Sequence, residues 1–295
     1  MHRSLSRALI IGALALLTAC SALRLGYGQA PELVYWWLDG YVDLDDDQSP
    51  RVREALRQWF RWHRGTQLVD YAGLLQHTRG QLADTLTPAQ VCRLADEVQA
   101  RVDTAFEQAV PAVAELARTL TPEQLAHLQH KQAKNNADYR NDYLQDTTEE
   151  RLKAQVKRVV ERAETLYGRL DDAQREKVAQ WVADSPFDAQ RWAAERELRQ
   201  VEVRQVLRRI AGGALPPQEA QAAVRRVYQH SFRSPREDYR AYQQRLAQYN
   251  CAFAAQVHNL TSPEQRQRAV ARLKGWEDDL RSLAAPGRPV APSTN

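Results

Sequence analysis

A short helix-start pattern recurs along the chain and constrains its fold more than any other feature of the sequence. The copies begin at Leu44, Leu86, Leu120, Leu170 and, in a looser form, Leu260. A Thr or Asp in these copies can cap free helix N–H groups, and a Gln three residues after the cap can close a capping box. The pattern therefore predicts helix N-termini. The spacings between copies are too unequal for a solenoid repeat, so the copies mark helix starts rather than duplicated units.

Apolar residues between these starts recur with helical spacing, as at Leu152, Val156 and Val159, and no stretch alternates convincingly with period 2. We therefore predict an all-α fold, a multi-helix bundle of about ten helices with antiparallel neighbours. Pro111 is expected to kink or split one long helix, because proline removes a backbone donor. The predicted helices lie near 30–42, 46–64, 67–84, 88–118, 122–145, 148–169, 172–184, 188–211, 217–231, 236–259 and 264–283.

The first residues have the pattern of a bacterial export signal. Residues 8–19 are almost wholly apolar, and as a helix they would be about 18 Å long, well short of a bilayer core of about 30 Å. The run ends in Leu-Thr-Ala-Cys at 17–20, which resembles the bacterial lipobox, whose Cys is diacylated and becomes the new N-terminus. We predict lipidation at Cys20, and the alternative is a plain signal peptide with a chance Cys. Family knowledge of lipoproteins implies that Ser21, rather than an Asp, favours release to the outer membrane.

These patterns divide the chain into three parts. Residues 1–19 are predicted to be a lipoprotein signal peptide. Residues 20–283 are predicted to form a single all-helical domain, and 212–217, which is rich in Gly and Pro, is its candidate subdomain break. Residues 284–295 hold three Pro and one Gly, and they are expected to be a disordered tail.

The stretch after the lipobox combines several short motifs, found at 23–27, 41–48, 62–64 and 70–75. This combination resembles a domain-of-unknown-function family of Gram-negative lipoproteins. The resemblance implies a periplasm-facing lipoprotein over most of the mature chain, and it supplies no activity and no catalytic residues. Separately, Leu-Thr-Pro-Glu-Gln at 120–124 is similar to the Leu-Thr-x-x-Gln motif of the Spy-type periplasmic chaperones, which are smaller and rich in Met.

Charge is divided unequally between the two halves of the mature chain. Residues 20–150 hold 13 Lys and Arg against 20 Asp and Glu, whereas 151–295 hold 26 against 17. Two interpretations stay open: the halves pack on each other, or the basic half contacts anionic lipid or lipopolysaccharide. Nucleic acid is not an expected partner, because a lipidated periplasmic protein never meets it. The arginines to test first for lipid contact are Arg204, Arg208, Arg225 and Arg226.

Four of the seven Trp lie close together, at Trp36, Trp37, Trp59 and Trp62. One interpretation is that two aromatic stripes, one on each of the first two predicted helices, pack together as core. The other is that these side chains form a groove for an apolar ligand or an unfolded polypeptide.

Cys92 and Cys251 are predicted to form a disulfide. Once Cys20 is acylated, these two thiols remain in an oxidising compartment, where an even pair favours a bridge. Small residues beside Cys251 would let another helix approach as closely as a disulfide requires. The alternative is two unpaired, buried cysteines that behave as small apolar side chains.

No catalytic residue, metal-binding set or cofactor is predicted. The chain lacks the GxSxG, HExxH, P-loop and GxGxxG motifs. The acidic stretch at 39–47 could hold a hard cation, but its place at a helix start favours capping. Asn250, Cys251 and His258 are the residue types of a thiol protease, although their spacing on one helix resembles no catalytic arrangement.

Together these features predict an outer-membrane-anchored, periplasm-facing lipoprotein that works by binding, in envelope interaction, scaffolding or chaperone-like contact. Its expected partners are the membrane, through the N-terminal lipid, and either another envelope protein or anionic lipid. The alternative is an envelope hydrolase or other enzyme whose site the sequence does not reveal.

Overall fold

The computed structural model describes residues 26–285, which form helices joined by short connections. Residues 26–42 are helical and are called α1, and a π-helical turn at His63–Gln67 joins α2 to α3. The described part contains no strand, so the predicted all-α bundle of about ten helices is confirmed. The helices after α1 are α2 (Gln48–Trp62), α3 (Leu68–Gln81), α4 (Pro88–Arg118), α5 (Pro122–Tyr143), α6 (Thr148–Tyr167), α7 (Asp172–Ala183), α8 (Ala189–Ala211), α9 (Pro217–Phe232), α10 (Glu237–Leu260) and α11 (Pro263–Ala284).

The structure changes three expectations about helix boundaries. α4 runs through Pro111 unbroken, and Val110 and Ala114 on either side of the proline are buried in one apolar cluster that holds the helix together. The π-helical turn makes α2 and α3 continuous, although they were predicted as separate helices. α11 extends to Ala284, the first residue of the predicted tail. The rest of that tail from 286 onward, the predicted signal peptide and Cys20 lie outside the described residues.

The predicted capping boxes are present at the helix starts. In four copies the capping side chain accepts a hydrogen bond from the backbone N–H three residues on, and the Gln there bonds back to the capping residue. At α2 the Gln48 N–H donates to Asp45 Oδ1 over 2.8 Å, and the Asp45 N–H donates to Gln48 Oε1 over 3.2 Å. These local bonds satisfy N–H groups that a helix start leaves unpaired. The other four capping residues are Thr87, Thr121, Asp171 and Ser262.

Two of these box-closing glutamines pair with each other and join the starts of α2 and α5. Gln48 Nε2 donates to Gln124 Oε1 over 3.1 Å, and Gln124 Nε2 donates to Gln48 Oε1 over 2.6 Å. Each Nε2 also donates to a backbone carbonyl two residues before the partner's capping residue, at Thr119 (2.9 Å) and Asp43 (2.8 Å). Both glutamine side chains are buried. We call this arrangement the first glutamine junction.

The second glutamine junction repeats this geometry between α7 and α11. Gln174 Nε2 donates to Gln265 Oε1 over 2.7 Å, and Gln265 Nε2 donates to Gln174 Oε1 over 2.9 Å. Their second bonds again reach the carbonyls two residues before the partner's capping residue, at Leu260 (3.1 Å) and Arg169 (2.9 Å). The recurrent pattern therefore also joins helices that are distant in sequence. By contrast, Gln90 is half-buried and bonds to the capping residue of its own box.

The helices of the acidic half pack against those of the basic half. α3 lies along α11, α4 along α9 and α10, and α5 along α8. The apolar cluster between α4 and α9 contains Leu215, which lies in the candidate subdomain break, together with Ile210 before the break and Ala220 after it. Both sides of the break thus contribute to one cluster. The mutual packing of oppositely charged halves is one of the two interpretations of the charge asymmetry.

A disulfide bond joins Cys92 of α4 to Cys251 of α10, with the two Cα atoms 5.3 Å apart and 159 residues apart in sequence. Near it, the side chain of Asn259 accepts from the Leu86 N–H over 2.8 Å and donates to the Leu86 carbonyl over 2.9 Å. The end of α10 therefore holds the start of α4 by a covalent bond and by two hydrogen bonds.

His258 also holds the connection between α3 and α4. Its Nε2 donates to the carbonyl of Asp84 over 2.8 Å, since a carbonyl only accepts, and its Nδ1 accepts from the Tyr167 hydroxyl over 3.0 Å. The side chain is 1% exposed, and this burial lowers its pKa because it disfavours the charged form. In the neutral form of the imidazole, these two partners place the ring proton on Nε2.

No helix between residues 26 and 285 is both long enough and apolar enough to cross a bilayer.

Candidate binding surfaces

The first surface is built by α1 and α2, which lie side by side in opposite directions. The Tyr35 hydroxyl donates to Ser49 Oγ over 3.0 Å, and Arg53 pairs with Glu32 over 2.5 Å. Because the pairs run in opposite order along the two helices, the start of α1 lies beside the end of α2. These pairs fix the α1 residues that face α2, and Asn135 of α5 donates to the Tyr41 hydroxyl at the end of α1. The face of α1 that carries Leu33, Trp36 and Trp37 is left open.

The open face of α1 is uncharged and partly apolar. Its exposed positions are spaced as one side of a helix, and Leu33, Trp36 and Trp37 are 60%, 61% and 62% exposed. Large apolar side chains in a contiguous exposed group mark contact surfaces more often than isolated ones do. The residues of this face are Gly26, Gln29, Leu33, Trp36, Trp37 and Gly40.

His63 lies at the centre of an aromatic cluster where α2 passes into the π-helical turn. Its ring stacks on Trp59 with centroids 4.7 Å apart, and its Nδ1 is 2.8 Å from the Tyr27 hydroxyl. Tyr71 meets the ring edge to face at 5.4 Å. Burial lowers the pKa of His63. π-Helical turns are often found at functional sites, and here the turn is the boundary between the aromatic cluster and an exposed arginine side chain.

A shallow cleft of about 550 Å³ lies between the start of α1 and the end of α2, with Phe60 in its apolar lining. Arg57, Arg61 and Arg64 extend along its edge and are exposed. The Glu54 carboxylate pairs with two of them, Arg57 at 2.8 Å and Arg61 at 3.3 Å. Hydrogen bonds from Gln58 and from these two arginines lower the pKa of Glu54 to about 2. Three cations and one anion leave this edge positive.

The second surface is a groove of about 270 Å³ between α6 and α10, closed below by α7 and at one end by the start of α8. Trp181 and Phe253 meet edge to face with centroids 6.4 Å apart, and the Tyr249 hydroxyl donates to the Trp181 carbonyl. We call it the aromatic groove, because six aromatic side chains line it. They are Tyr143, Trp181, Phe187, Trp192, Tyr249 and Phe253.

Two arginines of α6 make one side of the aromatic groove positive. The Arg158 guanidinium lies 4.2 Å from the centre of the Tyr143 ring, and its Nη1 donates to the Asp142 carbonyl over 3.1 Å. Arg162, one turn further along α6, also lines the groove and is exposed. An apolar channel with cations along one side can take an apolar group that carries a negative charge nearby.

The four tryptophans of the predicted apolar groove occupy two different settings. Trp36 and Trp37 are exposed on the open face of α1, whereas Trp59 and Trp62 pack around His63. The aromatic stripe of α1 that contains Trp37 therefore does not pack as core against the stripe of α2 that contains Trp59. The physical reason is that α1 turns Tyr35 and Tyr27 toward α2 instead.

The four arginines proposed for lipid contact also differ from one another. Arg225 makes a two-pronged pair with Glu107, at 2.9 and 2.6 Å, and Arg204 donates to Gln132. Arg208 and Arg226 are exposed. Leu207 and Ala211, beside Arg208, pack on the cluster around Val42, at the end of α1 opposite to Tyr27.

The residues considered for chemistry are held in structural roles. The Cys251 sulfur is bonded to Cys92, so this thiol is not free to act as a nucleophile beside Asn250 and His258. Asp45 of the acidic stretch caps α2. Between residues 26 and 285, no group of three or more His, Cys, Asp and Glu side chains is placed to hold a metal ion.

The aromatic groove could not be predicted from the sequence, because its lining comes from five helices or their connections, between positions 143 and 253. Its aromatic residues lie on separate predicted helices, where each looks like an ordinary core position. The His63 cluster left a stronger signal, since Trp59, Phe60, Trp62 and His63 follow one another closely.

Comparison with known proteins gives one positive result. Neither the curated proteins nor the solved structures include a significant match to this chain. A family model, described as a family of unknown function (DUF6279), matches residues 40–216. The matched region contains both glutamines of the first junction, Gln174 of the second, His63 and the three arginines of the cleft edge. Since the match covers more than half of the residues of the chain, the chain belongs to this family of unknown function, DUF6279.

Proposed function

We propose that the protein is a lipoprotein anchored in the outer membrane through acylated Cys20, facing the periplasm and acting by binding rather than by catalysis. The Leu-Thr-Ala-Cys pattern at 17–20 supports the anchor. Two or three acyl chains hold a protein stably on a membrane, whereas one chain binds only marginally. The helical bundle then carries its binding surfaces next to the membrane.

The aromatic groove is the observation that carries the binding role. Six aromatic side chains line it, and Arg158 and Arg162 make its α6 side positive. The helices of the basic half form most of it, and that half holds nine more Lys and Arg than acids. Charge complementarity therefore favours one occupant: a segment of another envelope protein with large apolar side chains flanked by Asp or Glu.

The anchor is tested by the variant Cys20→Ser in growing cells. We expect loss of fatty-acid labelling and release of the protein from the membrane fraction, because serine lacks the sulfur atom to which the lipid is attached. Retention of both label and membrane fractionation in this variant would reject the anchor.

The groove is tested with two synthetic peptides that share a central Phe-Leu-Phe and differ in acidic or basic flanks. The mature chain should bind the acidic peptide more tightly, and Arg158→Gln with Arg162→Gln should weaken that binding about fivefold, the effect of about 1 kcal/mol of lost ion pairing. Arg208→Gln with Arg209→Gln is the matched control, since both lie exposed at the end of α8. Equal affinity for the two peptides, or an equal loss in the control, would contradict the proposed occupant.

A further inference from the structure

We infer that the open face of α1 is a membrane-docking surface, occupied by the interfacial layer of the phospholipid bilayer to which the chain is anchored. This inference rests on the proposed lipid anchor for its geometry. It assigns to Leu33, Trp36 and Trp37 a role that the aromatic groove does not supply, since these side chains lie on a separate helix.

The composition of the face fits the bilayer interface. Among the large apolar side chains exposed between residues 26 and 285, Leu33, Trp36 and Trp37 have the highest exposed fractions. Its six positions contain no charged residue. Trp is enriched at membrane interfaces, where its apolar ring and its N–H group both find suitable surroundings. An amphipathic helix of this kind lies in the plane of the interface.

The position of the face limits what can reach it. Five residues separate Cys20 from Gly26, the first residue of the face, so even a fully extended link keeps Gly26 within about 20 Å of the acylated cysteine. The face from Gly26 to Gly40 is about 21 Å long when measured along the helix axis. A helix tied so closely to the membrane at one end has the bilayer surface as its nearest neighbour.

Both acidic and basic side chains lie beside the face. Arg53, whose guanidinium lies 5.6 Å from the Trp36 ring, is paired with Glu32 over 2.5 Å. At the other end Lys131 lies 5.8 Å from the Tyr41 ring and adds a positive charge. Lys131 therefore offsets part of the acidic stretch at 39–47, which begins at this end of the face, and the apolar side chains rather than the charges carry the inference.

The test uses the mature chain from residue 20 with Cys20→Ser, so that any membrane contact is independent of acylation. Vesicles of phosphatidylethanolamine and phosphatidylglycerol, with and without brominated acyl chains, serve as the probe. We expect the chain to sediment with these vesicles and its Trp fluorescence to be quenched by the bromines. The triple variant Leu33→Gln, Trp36→Gln and Trp37→Gln should lower vesicle binding more than about tenfold, since it removes the apolar contact area.

A control variant separates this effect from a general loss of exposed apolar area. Leu198→Gln with Phe232→Gln changes two residues that are 49% and 50% exposed on α8 and α9, and it should bind vesicles like the parent. Circular dichroism should show the same helical content in all three proteins. Binding that persists in the triple variant overturns the inference, as does a parent chain that does not bind at all. Binding that requires phosphatidylglycerol and disappears in salt would assign the contact to arginines instead. The acylation test on Cys20 is separate, so failure of either proposal can be recognised alone.

Discussion

Two regions of the molecule contain the same structural features, a glutamine junction and a histidine–tyrosine hydrogen bond, but differ in which side chains they leave exposed to solvent. The region next to the proposed anchor, here called the anchor region, consists of α1, α2, the π-helical turn and α5. The disulfide region consists of the start of α4 together with α6, α7, α10 and α11. Each has a glutamine junction between two helix starts. Each has a histidine bonded to a tyrosine hydroxyl, His63 with Tyr27 and His258 with Tyr167. The disulfide region buries its histidine almost completely, whereas the anchor region leaves an apolar helix face open.

This difference separates the parts that stabilise the fold from those that meet a partner. In the disulfide region, the Cys92–Cys251 bond and the hydrogen bonds of His258 and Asn259 hold the start of α4 and the connection before it. The aromatic groove is therefore formed on a well-held scaffold. In the anchor region α1 packs on α2 and, at its C-terminal end, contacts α5, and its remaining face carries the exposed tryptophans. The same local interactions thus occur beside a rigidly held aromatic groove in one region and beside the open face of α1 in the other.

Among the changes that test this comparison, removal of the disulfide is expected to have the largest effect on stability. Replacing Cys92 and Cys251 by Ala should lower the free energy of unfolding by about 2 to 5 kcal/mol, because the bridge closes a long loop in the unfolded chain. Denaturant titration of the parent, with and without reductant, measures the loss. Reductant should leave the double variant unchanged. Two free thiols in the oxidised, denatured parent would show that the bridge does not form in the cell.

The glutamine junctions should contribute less, and equally in the two regions. Gln174→Met removes the donor to the Leu260 carbonyl and both bonds between Gln174 and Gln265, and we expect a loss of about 2 kcal/mol. Gln124→Met should give a similar loss in the anchor region. The control is Gln90→Met, which removes a capping bond of an unpaired box and should lose less than about 1 kcal/mol. Equal losses at all three positions in denaturant titrations would mean that the pairing adds nothing to the capping.

The smallest effect is the pH dependence from half-buried His63 and buried His258. Burial lowers both folded-state pKa values below 6.5, so the unfolded chain takes up protons that the folded chain resists. The stabilising contribution is therefore complete above that pH and decreases as the pH falls through it. His258→Gln should make the free energy of unfolding fall less steeply between neutral pH and pH 5, and His130→Gln, on the surface, should not. An unchanged slope in His258→Gln would contradict the assignment of a neutral buried imidazole.

The helix starts could be predicted because capping is a local property of four or five consecutive residues. The pairing of the glutamines could not, since Gln90 and Gln124 follow the same Leu-Thr-Pro and close the same capping box, and yet Gln90 pairs with no other junction glutamine. Which copy is buried depends on how the helices meet. The exposure of Trp37 escaped prediction for the same reason, because an apolar stripe looks alike whether a helix or another partner covers it. The lining of the aromatic groove depends wholly on tertiary packing.

The most direct test of the account measures which region lies at the membrane. The acylated protein is placed on vesicles with a spin label at Gln29→Cys in α1 or at Arg162→Cys beside the aromatic groove, where both native residues are exposed. Cys92 and Cys251 are bonded to each other, and acylated Cys20 has no free thiol, so the introduced cysteine is the one that reacts. Nickel chelated to lipid headgroups should relax the label at position 29 strongly and the label at 162 weakly, and soluble nickel should show the opposite order. Equal relaxation at the two positions, or stronger headgroup relaxation at 162, would contradict an anchor region that docks on the membrane and a groove that faces the periplasm.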